Sequence, residues 1–328
     1  MRRLPILITS CCLVLAVPAL AQNAAQNAPE SASPSAETGT ATDDWGDAPI
    51  IVTAHFPGPA LWRVKKGDSE VYIVGGLPVM EKRLEWDRGR VGRVLDRSNV
   101  FLVSPKARGG LFGFAAWQMT KGNGLFKSLY DVLPGDLGGR FWRIATKNGL
   151  DPKKYAKDSP VFAVMRLRDD VYEKQGLSTN DPEKMLIFMA RDRHTPMKPV
   201  ATYSAAGMIG KLNDMSKDDK LRCVGATLSE IEFATGHAQA ASQAWATGDL
   251  NAARANSPNS ATLACLEGTG STRALLDRAT GDSVAAINEA LSKPGKSVVT
   301  FPLSVLLRPG GALDQLKAQG AEVSEPEM

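Results

Sequence analysis

The chain has 328 residues, of which 43% are hydrophobic, and a formal net charge of +4 at pH 7. That length and apolar content are enough for one large folded domain, and so small a charge argues against a nucleic-acid partner. After the amino-terminal apolar run, no stretch is long and apolar enough to span a bilayer, so we expect no transmembrane segment in the mature chain.

The amino terminus is typical of a cleavable secretory signal. Arg2 and Arg3 precede an apolar run that ends in small residues at Ala21. We therefore predict a signal peptide over residues 1–21, cut after Ala21, and a periplasmic or secreted mature protein. Cleavage would remove two arginines and no acidic residue, so the net charge would fall from +4 to +2. A lipid-modified Cys11 is the alternative reading.

Residues 22–48 have the composition of a disordered linker. They are rich in Ala, Ser, Thr, Pro and Asn, and they cannot bury enough apolar area to offset the entropy of the chain. The remaining residues, 49–328, are predicted to form a single domain.

Two of the four cysteines lie inside the predicted signal peptide, which leaves Cys223 and Cys265 in the mature chain. In an exported protein such a pair most simply forms one disulfide bond, which is our prediction. Two buried free thiols are the alternative.

The first part of the domain has the pattern of strands followed by a helix and a further strand. The β-rich runs are PIIVTAHF, ALWRVKK and EVYIVGGL, and NVFLVS is extended again. Between the last two, Asp87 can begin a helix with an apolar stripe. Strand, helix and strand in this order form the unit of a largely parallel sheet.

The region from about 110 to 295 is mostly helical in pattern, with KPVATY as a further strand. The chain then returns to a strand, SVVTFPL, a short helix ended by Gly320, and a last extended segment, AEV. We predict an α/β (α+β) fold with a mixed, largely parallel central sheet built from both chain ends. Helices flank this sheet, and a mostly helical insertion separates its two halves.

Three blocks of the chain resemble the TraB/GumN family, which is related to the Tiki proteins and to erythromycin esterases. The opening block is GPALWRVKKGDSEVYIVGGLPVM, followed by a helix and VFLVS. The closing block is SVVTFPLSVLLRPGGALDQLKAQGAEV, and GLSTNDPEKMLIFMARDRHTPMKPVATYSA is similar to the family's middle block. The resemblance spans Gly58 to Val323 and supports the predicted fold.

The functional positions that this resemblance implies carry other residues here. The family has a Gly-x-x-His at the end of its first core strand, a glutamate after the next strand, a second acidic position, an Arg-Asn pair and a late second Gly-x-x-His. The corresponding positions in this chain are Gly75 with Pro78, Ser104, Ser204, Arg278 followed by Ala279, and Ser304. Proline has no metal-binding or proton-moving group, and a neutral hydroxyl is a poor ligand for a divalent cation. Gly75 and Gly76 also have a structural reading, as residues that permit a tight turn.

The resemblance therefore implies an exported, catalytically degenerate protein with a binding or structural role in the cell envelope, without a metal or other cofactor. The alternative is a metal-independent or unconventional hydrolase of the same fold. In that case Arg278 with Glu81 or Glu85 would be the candidate groups.

Three arginines recur at helical spacing after Asp87: Arg90, Arg93 and Arg97. Such a stripe is most often solubilising surface. The functional alternative is an anion-binding face for an acidic polysaccharide, a lipid headgroup or an envelope protein.

Overall fold

The structure is a computed structural model that describes residues 58–108, 128–179, 181–204, 214–258 and 270–326, together with positions 210, 260, 261 and 265. The predicted signal peptide, the linker and the extended stretch PIIVTAHF lie outside the described residues.

A six-stranded mixed sheet lies at the centre of the described chain. The described strands, six of which form this sheet, are in chain order β1 (Leu61–Lys66), β2 (Ser69–Gly76), β3 (Met80–Glu81), β4 (Val100–Val103), β5 (Lys106–Arg108), β6 (Leu177–Ser178), β7 (Met197–Pro199), β8 (Thr202–Ser204), β9 (Gly295–Pro302) and β10 (Glu322–Ser324). The order in the large sheet is β10-β1-β2-β9-β4-β7. Strands β2, β9, β4 and β7 run parallel, whereas β1 is antiparallel to both of its neighbours. The predicted fold class is confirmed.

The two central strands read as continuous apolar runs because both of their faces are covered. In β2 the side chains of Val71, Ile73 and Val74 are almost fully buried, as are Val298 and Val299 in β9. Strand β2 comes from the first block of the chain and β9 from the last, so their parallel pairing joins the two chain ends in one core.

Helices cover the sheet and form a second layer beside it. They are α1 (Gly89–Asp96), α2 (Leu129–Val132), α3 (Gly135–Lys147), α4 (Pro160–Gln175), α5 (Asp181–Asp192), α6 (Lys217–Thr247), α7 (Leu250–Ala255), α8 (Gly270–Leu291), α9 (Leu303–Leu307) and α10 (Ala312–Ala318), with a 3-10 turn at Pro152–Tyr155. The helices α3, α4 and the first half of α6 share a core of their own, in which Leu167 and Val171 pack with Leu228 and Ile231.

Helix α6 connects the two cores. Its first turn is capped by Ser216, whose hydroxyl accepts a hydrogen bond from the backbone N–H of Asp219 at 3.1 Å, and it ends at Gly248 with a left-handed φ of 79°. Near its carboxyl end, the buried Trp245 indole donates a hydrogen bond of 2.6 Å to the backbone oxygen of Gly75. The helix is therefore fastened to the strand that ends at the predicted site.

Gly75 has a role other than the turn that its sequence suggested. Gly75 and Gly76 lie within β2 and pair with Phe301 and Pro302 of β9. A Cβ added at Gly75 would lie 2.4 Å from the Leu303 side chain and 3.2 Å from the Trp62 ring. Close packing therefore favours glycine here, because a larger residue would displace the Leu303 side chain and crowd Trp62.

The segment KPVATY also differs from its prediction as one strand. It forms part of two short strands that join different sheets, β7 beside β4 and β8 beside β5. Between them, Val200 donates its N–H to the oxygen of Val103 at 2.9 Å, which is the last contact with the large sheet before the chain leaves it. Pro199 has no N–H with which to extend the ladder.

No helix in the described ranges combines the length and the apolar character that are needed to cross a membrane.

Candidate functional site

A cavity of about 440 Å³ opens at the carboxyl ends of three parallel strands. Gly76 at the end of β2, Ser104 just after β4 and Thr300 near the end of β9 contribute to its wall. In α/β sheets this edge is where ligands usually bind, since the loops that leave the strands converge there. The family resemblance implies a site at the same strand ends.

Of the four family positions that carry proline or serine here, three meet around this cavity: Pro78, Ser104 and Ser304 all line it. Ser104 is half-buried and Ser304 is buried at the start of α9. Ser204 is not among the lining residues, because β8 pairs with β5 away from the large sheet and leaves this serine exposed.

Arg278 does not line the cavity, although its neighbour Ala279 does. Its guanidinium is exposed, lies 5.8 Å from the centre of the Tyr203 ring and is 3.7 Å from an Asp282 carboxylate oxygen. The other residues of the hydrolase alternative are elsewhere too, since Glu81 lines a separate, much smaller cavity and Glu85 is exposed. The described structure therefore does not assemble that set of groups.

The cavity contains a carboxylate that the sequence did not indicate, Glu183 from the first turn of α5. Its Oε1 accepts a hydrogen bond of 2.7 Å from the backbone N–H of Ser104 and a longer one of 3.5 Å from the Thr300 hydroxyl. The Ser104 and Thr300 hydroxyls are themselves 3.3 Å apart. A carboxylate thus lies at the Ser104 position, but it comes from a helix and is held by the strand-end backbone.

A second carboxylate, Glu230 of α6, lies in the same wall and is only 5% exposed. It accepts hydrogen bonds from the Tyr172 hydroxyl at 2.9 Å and from the backbone N–H of Ala261 at 2.6 Å, and the Arg168 guanidinium lies 3.9 Å away. Burial raises the pKa of Glu230 above its ordinary value, although these partners oppose the shift. Burial next to this carboxylate also raises the pKa of Tyr172.

A sequence signal for Glu230 exists. The residue lies between Leu228 and Ile231 on the apolar stripe of α6, where a charged side chain is rare unless it has partners. Glu183 gives no such signal, because an acidic residue in a first helical turn is common for reasons of helix stability alone.

The cysteines form the predicted pair: the sulfur atoms of Cys223 and Cys265 are at bonding distance, 2.01 Å. The bond lies in a small apolar cluster with Val161 and Met215. It joins α6 to the segment that carries Ser260 and Ala261, one of which lines the cavity while the other binds Glu230.

The three arginines of the predicted anion-binding face, Arg90, Arg93 and Arg97, line a second cavity that shares no lining residue with the first. Within the described residues, no group of three or more His, Cys, Asp or Glu side chains is placed to hold a metal ion.

Residues 60–325 match the TraB/PrgY/gumN family. The match covers most of the chain, and the protein therefore belongs to this family. Neither a curated protein nor a solved structure was found to match the chain.

Proposed function

We propose that the protein is an exported TraB/PrgY/gumN-family member that binds a ligand in the cell envelope and performs no metal-dependent chemistry. In this proposal a signal peptide and a linker precede a single domain in the periplasm or outside the cell. The observation that carries the proposal is the convergence of Pro78, Ser104 and Ser304 on one strand-end cavity.

The donor atoms of the cavity argue for binding. A pyrrolidine ring offers no ligand atom, and the two serines offer neutral hydroxyls, which bind transition metals weakly compared with imidazole or carboxylate. The two carboxylates that line the cavity, Glu183 and Glu230, already accept hydrogen bonds from the protein. These groups are suited to orienting a polar ligand by hydrogen bonds.

The rest of the wall indicates the class of ligand. Val74, Leu77 and Phe301 contribute apolar surface, whereas Thr280 and Ser283 contribute hydroxyls. A cavity of about 440 Å³ with apolar walls and a few polar groups is within the usual range for small-molecule sites. The wall fits a ligand with an apolar body and hydroxyl or amide groups.

One observation favours a metal-independent hydrolase as the second candidate function. Glu183 and Glu230 line the same cavity, and the pKa of Glu230 is raised by burial. A buried carboxyl group with a raised pKa that shares a cavity with a second carboxyl group is an arrangement that serves acid–base chemistry in hydrolases.

We expect that at least one compound in a panel of disaccharides and short peptides stabilises the wild-type protein against heat. The same compound should not stabilise an Ala279→Trp variant, because an indole at this wall position fills the cavity. Ala274→Trp is the matched control, since this alanine is exposed on the same helix and outside the cavity. Thermal unfolding with and without each compound, together with analysis of the panel for cleavage, gives both readouts.

Stabilisation without cleavage supports the binding role. Cleavage that resists chelators and is lost in Glu183→Gln or Glu230→Gln would favour the hydrolase candidate. Equal stabilisation of both tryptophan variants would place the ligand elsewhere and contradict the proposal.

A further inference from the structure

The second cavity, here called the basic cleft, has a volume of about 160 Å³ and carries a concentrated positive charge. Its cationic lining residues are Arg63, Arg90, Arg93, Arg97 and Lys296. No aspartate or glutamate is among the described residues that line it.

Two elements of the fold build the basic cleft. Helix α1 buries Val91 and Leu95, and this orientation brings the arginine stripe to the side of the helix that borders the cleft. The sheet supplies the opposite wall, where Arg63 of β1 lies beside Tyr72 of β2 in register. The sequence indicated only the contribution of α1, because Arg63 and Lys296 are far from it along the chain.

The carboxylate of Glu70 lies next to the basic cleft and organises its sheet wall. Its two oxygens are 3.8 Å from an Arg63 guanidinium nitrogen and 2.8 Å from the Lys296 ammonium, and the Tyr72 hydroxyl donates to it at 2.9 Å. The Glu70 contact raises the pKa of Lys296, so this lysine stays charged. Glu70 thus offsets charge on the sheet wall, whereas no ion pair involves Arg93 or Arg97 of α1 within the described part of the chain, and these two arginines carry the charge argument.

We propose that the basic cleft binds a phosphoryl group. Guanidinium groups stay charged and present paired N–H donors that match the oxygens of a phosphate, which accounts for the predominance of arginine in the lining. The cleft volume of about 160 Å³ is enough for a compact tetrahedral anion, and we expect a larger ligand to place its phosphorylated end there.

This inference is independent of the proposed ligand cavity, since the two cavities have no lining residue in common. The phosphoryl group has two sources that share this chemistry, a free phosphate or the headgroup of an anionic phospholipid. The experiment has one arm for each.

We expect inorganic phosphate, titrated calorimetrically into the protein in chloride buffer, to bind at a single site. The double variant R93A/R97A should bind at least about tenfold more weakly, because it removes two charged donors of the cleft. The control R278A/K317A removes the same charge from exposed positions on other helices and should bind like wild type. Circular dichroism verifies that both variants are folded.

The second arm measures sedimentation with vesicles of phosphatidylcholine, with and without phosphatidic acid. Free phosphate binding that depends on Arg93 and Arg97 supports the proposal for a soluble ligand. Binding only to phosphatidic acid vesicles, lost in R93A/R97A, supports it with a lipid headgroup as the source. Binding that the control weakens as much as R93A/R97A does, or no binding of either probe, overturns it.

Discussion

Replacing Glu230 by leucine is expected to lower the free energy of unfolding by about 3–5 kcal/mol. The substitution leaves the Tyr172 hydroxyl and the Ala261 backbone N–H without their acceptor in a buried site. It also removes the carboxylate 3.9 Å from the Arg168 guanidinium, which is paired with Asp169 at 3.0 Å as well. Chemical denaturation at neutral pH measures the loss.

Glu232→Leu is the matched control, because this residue is on the same helix, half-exposed, and paired with Arg140 at 2.6 Å. An exposed ion pair of this kind contributes about 0–1 kcal/mol. If the two leucine variants lose similar stability, the described role of Glu230 is wrong.

A Glu230→Gln variant tests the electrostatics of the same group through pH. Burial raises the folded-state pKa of Glu230 above its ordinary value of 4.5. At pH values between these two pKa values, the folded protein keeps a proton on Glu230 that the unfolded chain has released. This contribution to stability is complete below about pH 4.5 and declines as the pH rises through the folded-state value. The advantage of wild type over Glu230→Gln should therefore be largest in acid and shrink towards neutral pH. An advantage that grows with pH would contradict the assignment.

Removal of the Cys223–Cys265 bond by a C223A/C265A double substitution is expected to destabilise the protein by about 3–4 kcal/mol. The bond closes a loop with a sequence separation of 42 residues, and cross-linking a loop of this length reduces the entropy of the unfolded chain. The same bond helps to hold Ala261 close to Glu230, so we expect its loss to loosen the wall of the strand-end cavity as well.

Reductant provides the internal control. Wild type should unfold at lower denaturant concentration when reduced, whereas C223A/C265A should be indifferent to reductant. Two alkylatable thiols in native exported protein, or equal stability of the oxidised and reduced forms, would refute the prediction.

Much of the fold could be predicted because local pattern and tertiary environment agree. The apolar runs of β2 and β9 are central strands, and the stripe through Val224, Leu228 and Ile231 belongs to a helix that ends at Gly248. The pattern was insufficient for KPVATY, which reads as one strand in the sequence. Its two halves pair with strands of different sheets, and the apolar pattern does not mark the point where the strand is interrupted.

The strand-end cavity was only partly predictable. The resemblance to the TraB/GumN family picked out Pro78, Ser104 and Ser304, and the structure brings them together because each follows a parallel core strand whose carboxyl end lies at the same edge. Glu183 and Glu230 come from helices whose positions over this edge depend on packing between distant segments. The residues next to Glu183 and Glu230 in the sequence do not indicate this packing, so neither carboxylate could be assigned to the cavity in advance.

The most direct test of the central claim, an emptied strand-end site, is metal analysis of protein purified without an affinity tag. It compares wild type with a P78H/S104E/S304H variant, which places imidazole and carboxylate donors at three positions around the cavity. The control P78H/S104E/S204H carries the same new residues, but its last histidine lies outside the cavity. We predict only traces of zinc or manganese in wild type and in the control, and near-stoichiometric metal in P78H/S104E/S304H. Near-stoichiometric, chelator-removable metal in the wild-type protein would contradict the account.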